Sequence, residues 1–149
     1  MPETNAPLWA VRILKNPLKT VLPLLILFAQ SCSSERADVR VGAMDHFKRG
    51  NRYQESKQYR SAIEEYKAAL ALDSEQPEFH YNLGLTYYAL HLFEQSIRSY
   101  KKALDLNPQF AEAWFNLSLA LYRIGDTEEA FSANERYVAL HREEERESK

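Results

Sequence analysis

Cysteine, glycine and proline are scarce in this chain, and their scarcity limits the structures it can form. A single cysteine among 149 residues excludes an internal disulfide. Four glycines and six prolines agree with a helical chain that has short turns. The apolar run from 21 to 29 is nine residues long and contains Pro23, whereas a membrane-spanning helix needs about 20 apolar residues.

The chain also lacks the motifs that carry most enzyme chemistry. It has no glycine-rich phosphate loop, and no serine, cysteine or lysine lies in a nucleophile motif. The pairs Glu64-Glu65 and Glu128-Glu129 are adjacent on predicted helices, so their carboxylates point in different directions and form no acid–base dyad. We therefore expect no catalytic residues, no cofactor and no enzyme.

The histidines do not form a metal site by their spacing. His80 follows His46 at an interval of 34, and Trp114 follows His80 at the same interval, which indicates packing. Metal ligands must lie about 2 Å from one ion, whereas neighbouring helices are about 8–10 Å apart. We expect no bound metal.

The charge balance argues against nucleic acid as a partner. The formal net charge is −2, and positions 1–31 contribute three basic groups and one acid. The rest of the chain carries 16 basic and 20 acidic groups. Phosphate neutralisation supplies most nucleic-acid affinity, and an acidic chain is poorly suited to it.

The stretch from Pro77 to Pro108 has the spacing of two amphipathic helices. Apolar residues recur at intervals of three and four, which indicates helices with one buried face. Pro77 suits a first helical turn, and Asn107 precedes a proline, which disfavours the α conformation there. The apolar positions are Tyr81, Leu83, Gly84, Leu85, Tyr87 and Tyr88 in the first helix, and Phe93, Ile97, Tyr100, Ala103, Leu104 and Leu106 in the second.

This pattern returns with a period of 34. A step of 34 in each direction takes Tyr81 to Phe47 and Phe115. The same step takes Tyr100 to Tyr66 and Asn134. The period predicts three units in direct succession, 43–76, 77–110 and 111–144, followed by a charged tail at 145–149.

These residues resemble the tetratricopeptide repeat, whose pattern includes Leu-Gly, Tyr, Ala, an aromatic, Ala and Pro. The resemblance implies an all-α fold, an α-solenoid of three helical hairpins in a right-handed superhelix. It also implies that the first helix of each hairpin lines the concave wall. The matching residues of the middle unit are Leu83, Gly84, Tyr87, Tyr100, Ala103 and Pro108.

The third unit departs from the pattern. Ser118 replaces the close-packing glycine, and Asn134 replaces an aromatic. A polar outer face is what the last repeat of an array needs, so we predict that this unit ends the array. Asp126 and Glu129 have the spacing of a capping box at the start of the last helix.

The resemblance implies a binding groove on the first helices, where equivalent residues stand in register. Aromatic and amide side chains there suit a peptide or an amphipathic helix, and aromatics often dominate interface energy. The alternative is that several of these aromatics only pack in the core. The predicted groove residues are Phe47, Asn51, Tyr81, Asn82, Leu85, Tyr88, Phe115, Asn116, Leu119 and Tyr122.

One branch of this family grips a C-terminal carboxylate with lysine and arginine. The corresponding positions here hold Phe47, Glu112 and Asn116, and only Asn51 and Asn82 match. We therefore expect this chain not to bind an acidic tail.

Residues 1–31 have the pattern of a secretory signal peptide. It has a basic region, the short apolar run and small residues at the end. The sequence FAQSC at 28–32 resembles the lipobox of bacterial lipoproteins, which implies cleavage before Cys32 and its lipidation. Residues 32–42 would then be a tether whose ten residues after the cysteine reach at most about 35 Å.

Together these features predict a bacterial lipoprotein that acts as a protein-binding adaptor. Ser33 after the cysteine resembles the pattern that sends lipoproteins to the outer membrane, on its periplasmic face. Assembly of an envelope complex, such as a pilus or secretin system, is one process for such a protein. The alternatives are a self-assembling structural envelope protein, plain secretion, and an adaptor whose uncleaved residues 18–31 anchor it.

Overall fold

A computed structural model describes residues 38–147, nearly all of them within the compact unit Val39–Lys149. The expected signal peptide, Cys32 and the first part of the tether lie outside the described residues. Residues 38–42, which we assigned to the tether, are helical and continue into the first hairpin. Ala43, directly after them, is buried, so α1 packs against the core from the start of the predicted first unit.

The described residues form helices and turns, with no strand. None of the described helices is long and apolar enough to cross a bilayer. The helices are α1 (38–55), α2 (Tyr59–Leu72), α3 (Pro77–Ala89), α4 (Phe93–Leu106), α5 (Ala111–Ile124) and α6 (Thr127–Glu147).

The period of 34 is present in the helix boundaries. The second helices begin at Tyr59, Phe93 and Thr127, and α3 and α5 begin at Pro77 and Ala111. Both sets of starting positions recur at the interval that the sequence predicts. The predicted all-α solenoid of three hairpins is therefore confirmed, and α6 extends beyond the expected repeat end to Glu147.

Each hairpin packs on the next. Helix α3 packs against α2, α4 and α5, and α5 packs against α4 and α6. The equivalent Tyr66 and Tyr100 are fully buried, as are Ala69 and Ala103. The core thus consists of the same positions used in successive repeats.

The turn between the two helices of each hairpin contains a left-handed residue. This residue is Lys57 (φ 58°), His91 (φ 60°) and Gly125 (φ 87°) in the three hairpins. Only the third hairpin has glycine there, the residue that adopts this conformation without a Cβ clash. The first two turns therefore carry some backbone strain.

The predicted capping box is only half formed. The backbone N–H of Glu129 donates to Asp126 Oδ1 at 3.2 Å, as expected. The Glu129 carboxylate does not return to the backbone of Asp126, because it pairs with Lys101 Nζ at 2.6 Å. The Asp126 N–H donates instead to Leu121 O.

The outer face of α6 is only partly polar. Asn134 is exposed, as we expected for a terminal repeat. Phe131 is 65% exposed, although its equivalents Ile63 and Ile97 are buried against the following hairpin. No described helix follows α6, so this ring is left uncovered.

Candidate interaction surface

A groove runs between the first helices of the first two hairpins, α1 and α3. Its volume is about 560 Å³. Three of the ten predicted groove residues line it, namely Asn51, Asn82 and Leu85. We call it the inner groove; its full lining is Asn51, Gln54, Glu55, Tyr59, Asn82, Leu85 and Ala89.

Helical spacing explains why these side chains meet. Asn51, Gln54 and Glu55 are three and four residues apart on α1, and residues at these intervals share a face. Asn82 and Leu85 are three apart on α3. Two such faces on neighbouring parallel repeats form the two walls of the groove.

A buried phenol holds the two amides of the α1 wall. The Tyr66 hydroxyl lies 2.7 Å from Asn51 Oδ1 and 2.6 Å from Gln54 Oε1. The hydroxyl has one proton, so it donates to one of these oxygens at a time. Burial, with Glu55 nearby, raises the pKa of Tyr66 well above its usual value, so the phenol remains protonated. The side-chain nitrogen of Asn51 has no hydrogen-bond partner within residues 38–147, which leaves it able to donate to a ligand.

On the α3 wall it is the nitrogen of the amide, not the oxygen, that is hydrogen-bonded within the chain. Asn82 Nδ2 donates to Glu78 O at 2.9 Å, within its own helix. The equivalent Asn116 Nδ2 donates to Glu112 O at 2.8 Å. Asn82 thus uses one of its two N–H groups within the helix, and the carbonyl oxygens of both side chains can accept a hydrogen bond.

The aromatic row expected in the groove mainly packs between hairpins. Phe47 stacks on Phe79 with ring centroids 4.6 Å apart, and Tyr81 contacts Phe110 at 4.7 Å. Both Phe47 and Tyr81 are half-buried. Phe79 lies on α3 and Phe110 directly precedes α5. Each contact therefore joins one hairpin to the start of the next, and only part of each ring can be reached from the groove.

Phe115 and its helix differ because no described hairpin follows. Phe115 contacts Tyr137 at 5.2 Å but is 40% exposed. On the same helix Leu119 is 37% and Tyr122 is 68% exposed. Leu119 is the equivalent of Leu85 in register, and with Phe115 and Tyr122 it makes α5 richer in exposed apolar side chains than the α3 wall.

The remaining predicted residues, Tyr88 and Asn116, lie on α3 and α5. Tyr88 packs edge-on against Phe93 at 5.4 Å. Asn116 Nδ2 also donates to the Tyr81 hydroxyl at 3.0 Å. Burial raises the pKa of Tyr81, and the Glu112 carboxylate raises it further, which places a negative charge beside this phenol.

Sequence reasoning missed several residues of the inner groove. Gln54 is not one of them, because the period of 34 places it in one groove row with Tyr88 and Tyr122, and it lines the inner groove. Glu55 lies four residues after Asn51 on the same face of α1, so helical spacing could have identified it. Tyr59 begins α2, and only the path of the turn brings it to the groove.

The described residues contain no group of three His, Cys, Asp or Glu side chains placed to hold a metal ion.

Two family profiles match the chain. One, described as TPR repeat, matches residues 50–90, and the other, described as tetratricopeptide repeat, matches residues 83–145. Residues 50–145 are tetratricopeptide repeats. No curated protein matches the chain significantly.

Solved tetratricopeptide-repeat structures share the fold. The second TPR of Spaghetti (RPAP3), solved with the HSP90 peptide SRMEEVD, has a TM-score of 0.69 and 21% identity, over 72% of this chain and 98% of that one. The TPR2B domain of yeast Sti1, solved as a pHsp70 complex, has a TM-score of 0.67 and 17% identity, over 69% and 82%. MamA has a TM-score of 0.69 and 21% identity, over 72% of this chain but only 63% of MamA.

Proposed function

We propose that this chain is a membrane-tethered adaptor that binds a peptide or short helix in the inner groove. The observation that supports this most is the pair of oppositely held amides. Asn51 offers N–H donors and Asn82 offers a carbonyl acceptor on facing walls. A peptide backbone presents both a carbonyl and an N–H per residue, so an extended segment can satisfy both walls.

The bound segment is proposed to be neutral or basic. The HSP90 peptide in the Spaghetti structure ends in Glu-Glu-Val-Asp. Here Glu55 lines the groove and Glu112 lies beside Tyr81, and neither forms an ion pair within residues 38–147. A partner with clustered carboxylates would meet like charge from Glu55 on α1 and, farther along the array, from Glu112 on α5.

Binding can be tested with a peptide selected on the purified chain from a displayed library. Its affinity would be measured by fluorescence anisotropy against Asn51→Ala and Asn82→Ala. Loss of one hydrogen bond of about 1 kcal/mol weakens binding about fivefold. Asn134→Ala, an exposed amide on α6, is the matched control and should change nothing.

One result would contradict the groove proposal and another only the charge preference. One is a selected peptide whose affinity is unaffected by both asparagine variants. The other is tight binding of SRMEEVD to the parent chain, which would contradict the charge preference alone.

The tether is the second part of the proposal, and it is supported by the sequence around Cys32. Cleavage before Cys32 and acylation of its thiol and amino group would place the repeats at a membrane, with the periplasmic face of a bacterial outer membrane as the proposed site. A single acyl chain binds a bilayer only marginally, and two or more anchor it stably. Mass spectrometry of the mature N-terminus should find Cys32 as the first residue carrying acyl chains; an intact residue 1 would favour the uncleaved anchor.

Self-assembly is a second candidate function, favoured by the exposed Phe131. This ring occupies a position that is buried in the first two hairpins, so a second copy could cover it. Sedimentation of the parent chain should then show a concentration-dependent oligomer that Phe131→Asp abolishes. A chain that stays monomeric over the full concentration range would rule this out.

A further inference from the structure

A second, smaller pocket lies at the opposite end of the array from α6. It has a volume of about 270 Å³ and opens on the face of α1 that no described hairpin precedes. All five lining side chains are polar or aromatic, and two carry a guanidinium. We call it the arginine pocket; its lining is Arg49, Arg52, Tyr53, Ser56 and Gln58.

The repeat register shows how unusual these residues are. Arg49 stands where α3 and α5 have Leu83 and Leu117, both buried against the preceding hairpin. Arg52 stands where α3 has Thr86 and α5 has Ala120, both fully buried. Positions that are uncharged and buried in the later repeats are therefore cationic in the first one.

The surrounding charge is strongly positive. Residues 48–60 contain five lysines and arginines and one glutamate, in a chain whose formal net charge is −2. Solubility at a free end requires polar residues, but it does not require charges of one sign. Two of these cations, Arg49 and Arg52, line the cavity itself, and paired guanidinium groups suit an anionic ligand.

The two arginines are held differently. Arg49 Nε donates to Glu65 Oε2 at 3.0 Å, which holds the side chain while its Nη1 stays available. His46 Nδ1 lies 2.7 Å from both Glu65 Oε2 and Arg49 Nη2, and this nitrogen bonds one of them at a time. Arg52 is exposed and has no ion pair within residues 38–147. Ser56 donates to Arg52 O at 2.9 Å, so its hydroxyl is already engaged.

We propose that the arginine pocket binds a phosphate-bearing anion. Guanidinium groups match the oxygens of phosphate in pairs, and the Tyr53 hydroxyl and the Gln58 amide add further donors. Glu65 compensates one arginine, which leaves the charge of Arg52 for the ligand. The same chemistry would take a phospholipid headgroup or a free phosphate. The pocket lies on α1, directly after the proposed tether, which favours the headgroup; that preference rests on the proposed lipidation, whereas phosphate binding does not.

The test titrates the full chain with inorganic phosphate, followed by isothermal calorimetry and amide NMR shifts. The salt concentration would be about 100 mM, which screens charges farther apart than about 10 Å. Arg52→Gln should weaken phosphate binding about tenfold, since a charge-assisted hydrogen bond is lost. Arg98→Gln, which removes the same charge from an exposed site on α4, should leave it within twofold.

A second arm identifies the source of the phosphate. The full chain and both variants would be floated with vesicles of phosphatidylglycerol or of phosphatidylcholine. If the parent binds phosphatidylglycerol vesicles more strongly than phosphatidylcholine vesicles, and only Arg52→Gln loses this preference, the ligand is a lipid headgroup. If the chain binds inorganic phosphate but shows no preference between the two vesicles, the ligand is a free anion. The proposal is overturned if phosphate does not bind, or if both variants weaken binding equally. Peptide binding in the inner groove should be the same in Arg52→Gln as in the parent, so failure here leaves the proposed function intact.

Discussion

Gly84 and Tyr100 are packed so closely that no side chain fits between them. A Cβ atom on Gly84 would lie 2.7 Å from Cδ1 and Cε1 of the Tyr100 ring. The first hairpin repeats this contact, with a Gly50 Cβ at 2.5 Å from Tyr66. The third hairpin has Ser118 and Asn134 instead, so a side chain is tolerated only where the ring is missing.

Gly84→Ala should destabilise the fold by about 1–2 kcal/mol. Displacing a fully buried ring costs up to about 3 kcal/mol, and the gain of about 1 kcal/mol in helix propensity offsets part of it. Urea unfolding measures the difference. Ser118→Ala is the control and should stay within about 0.5 kcal/mol of the parent; equal stability of Gly84→Ala and the parent would disprove the close contact.

The two buried tyrosines should respond differently to loss of the hydroxyl. Tyr66 has its amide partners, whereas the Tyr100 hydroxyl is buried with no hydrogen-bond partner in the described part of the chain. Burial raises the pKa of the Tyr100 phenol, and Ser96 lies close enough to lower it in part. The Ser96 hydroxyl, however, donates to Gly84 O at 2.9 Å, and its oxygen does not meet the geometry of a hydrogen bond with Tyr100. Tyr66→Phe should cost about 1–2 kcal/mol, and Tyr100→Phe should cost less than about 0.5 kcal/mol or stabilise.

Urea unfolding of both phenylalanine variants tests this difference. They remove the same atom from equivalent sites, so each is a control for the other. A larger loss in Tyr100→Phe than in Tyr66→Phe would mean that the Tyr100 hydroxyl has a partner.

Lys57→Gly should stabilise the first hairpin. Lys57 has a φ of 58°, and the left-handed conformation costs a residue with a Cβ about 1 kcal/mol or more. Part of this gain is offset by the greater freedom of glycine in the unfolded chain, so we expect about 0.5 kcal/mol. Thermal unfolding measures it.

Gly125→Ala provides the reverse experiment at the equivalent position. A Cβ on Gly125 would meet no atom within 4 Å, so its effect reports the backbone conformation alone. We expect Lys57→Gly to be more stable and Gly125→Ala less stable than the parent. A less stable Lys57→Gly would contradict backbone strain at Lys57.

Stability should fall as the pH drops through the range of histidine titration. Burial lowers the pKa of His80 below its ordinary value of 6.5, and Lys102 lowers it further, although the hydrogen bond to Ser74 O and the Glu75 charge act the other way. The folded chain therefore favours neutral His80, and its stabilising effect is complete above the ordinary pKa. Below that, the unfolded state takes up the proton first, and this stability is lost as the pH approaches the folded pKa.

His80→Trp tests this contribution because the next repeat already has a tryptophan, Trp114, at the equivalent position. Trp114 Nε1 donates to Pro108 O at 2.9 Å, as His80 Nε2 does to Ser74 O at 2.9 Å, and the two side chains occupy equivalent positions of successive repeats. By urea unfolding, the variant should lose less stability than the parent between about pH 7.5 and 5.5.

Glu65 does not interfere with this measurement. Burial acts to raise the pKa of Glu65, but hydrogen bonds from His46 and Arg49 outweigh it and lower the pKa, so this carboxylate titrates below the histidine range. An unchanged pH profile in His80→Trp would exclude His80 as the source.

The sequence by itself determined the three hairpins, because the period of 34 is a local property of the chain. It placed Tyr66 and Tyr100 in one row, and both are buried. It also placed Asn51, Asn82 and Leu85 on the first helices, and these line the inner groove. Each of these inferences needs only the helical repeat and the distance between equivalent residues.

Only the tertiary structure decided which side chains of a row remain exposed to solvent. Phe47 and Tyr81 are half-covered because the next hairpin brings Phe79 and Phe110 onto them. Phe131 is exposed because no described hairpin follows it, and Arg49 lines a pocket because none precedes it. Exposure depends on what each face meets in space, and equivalent residues at the ends and in the middle of an array meet different neighbours.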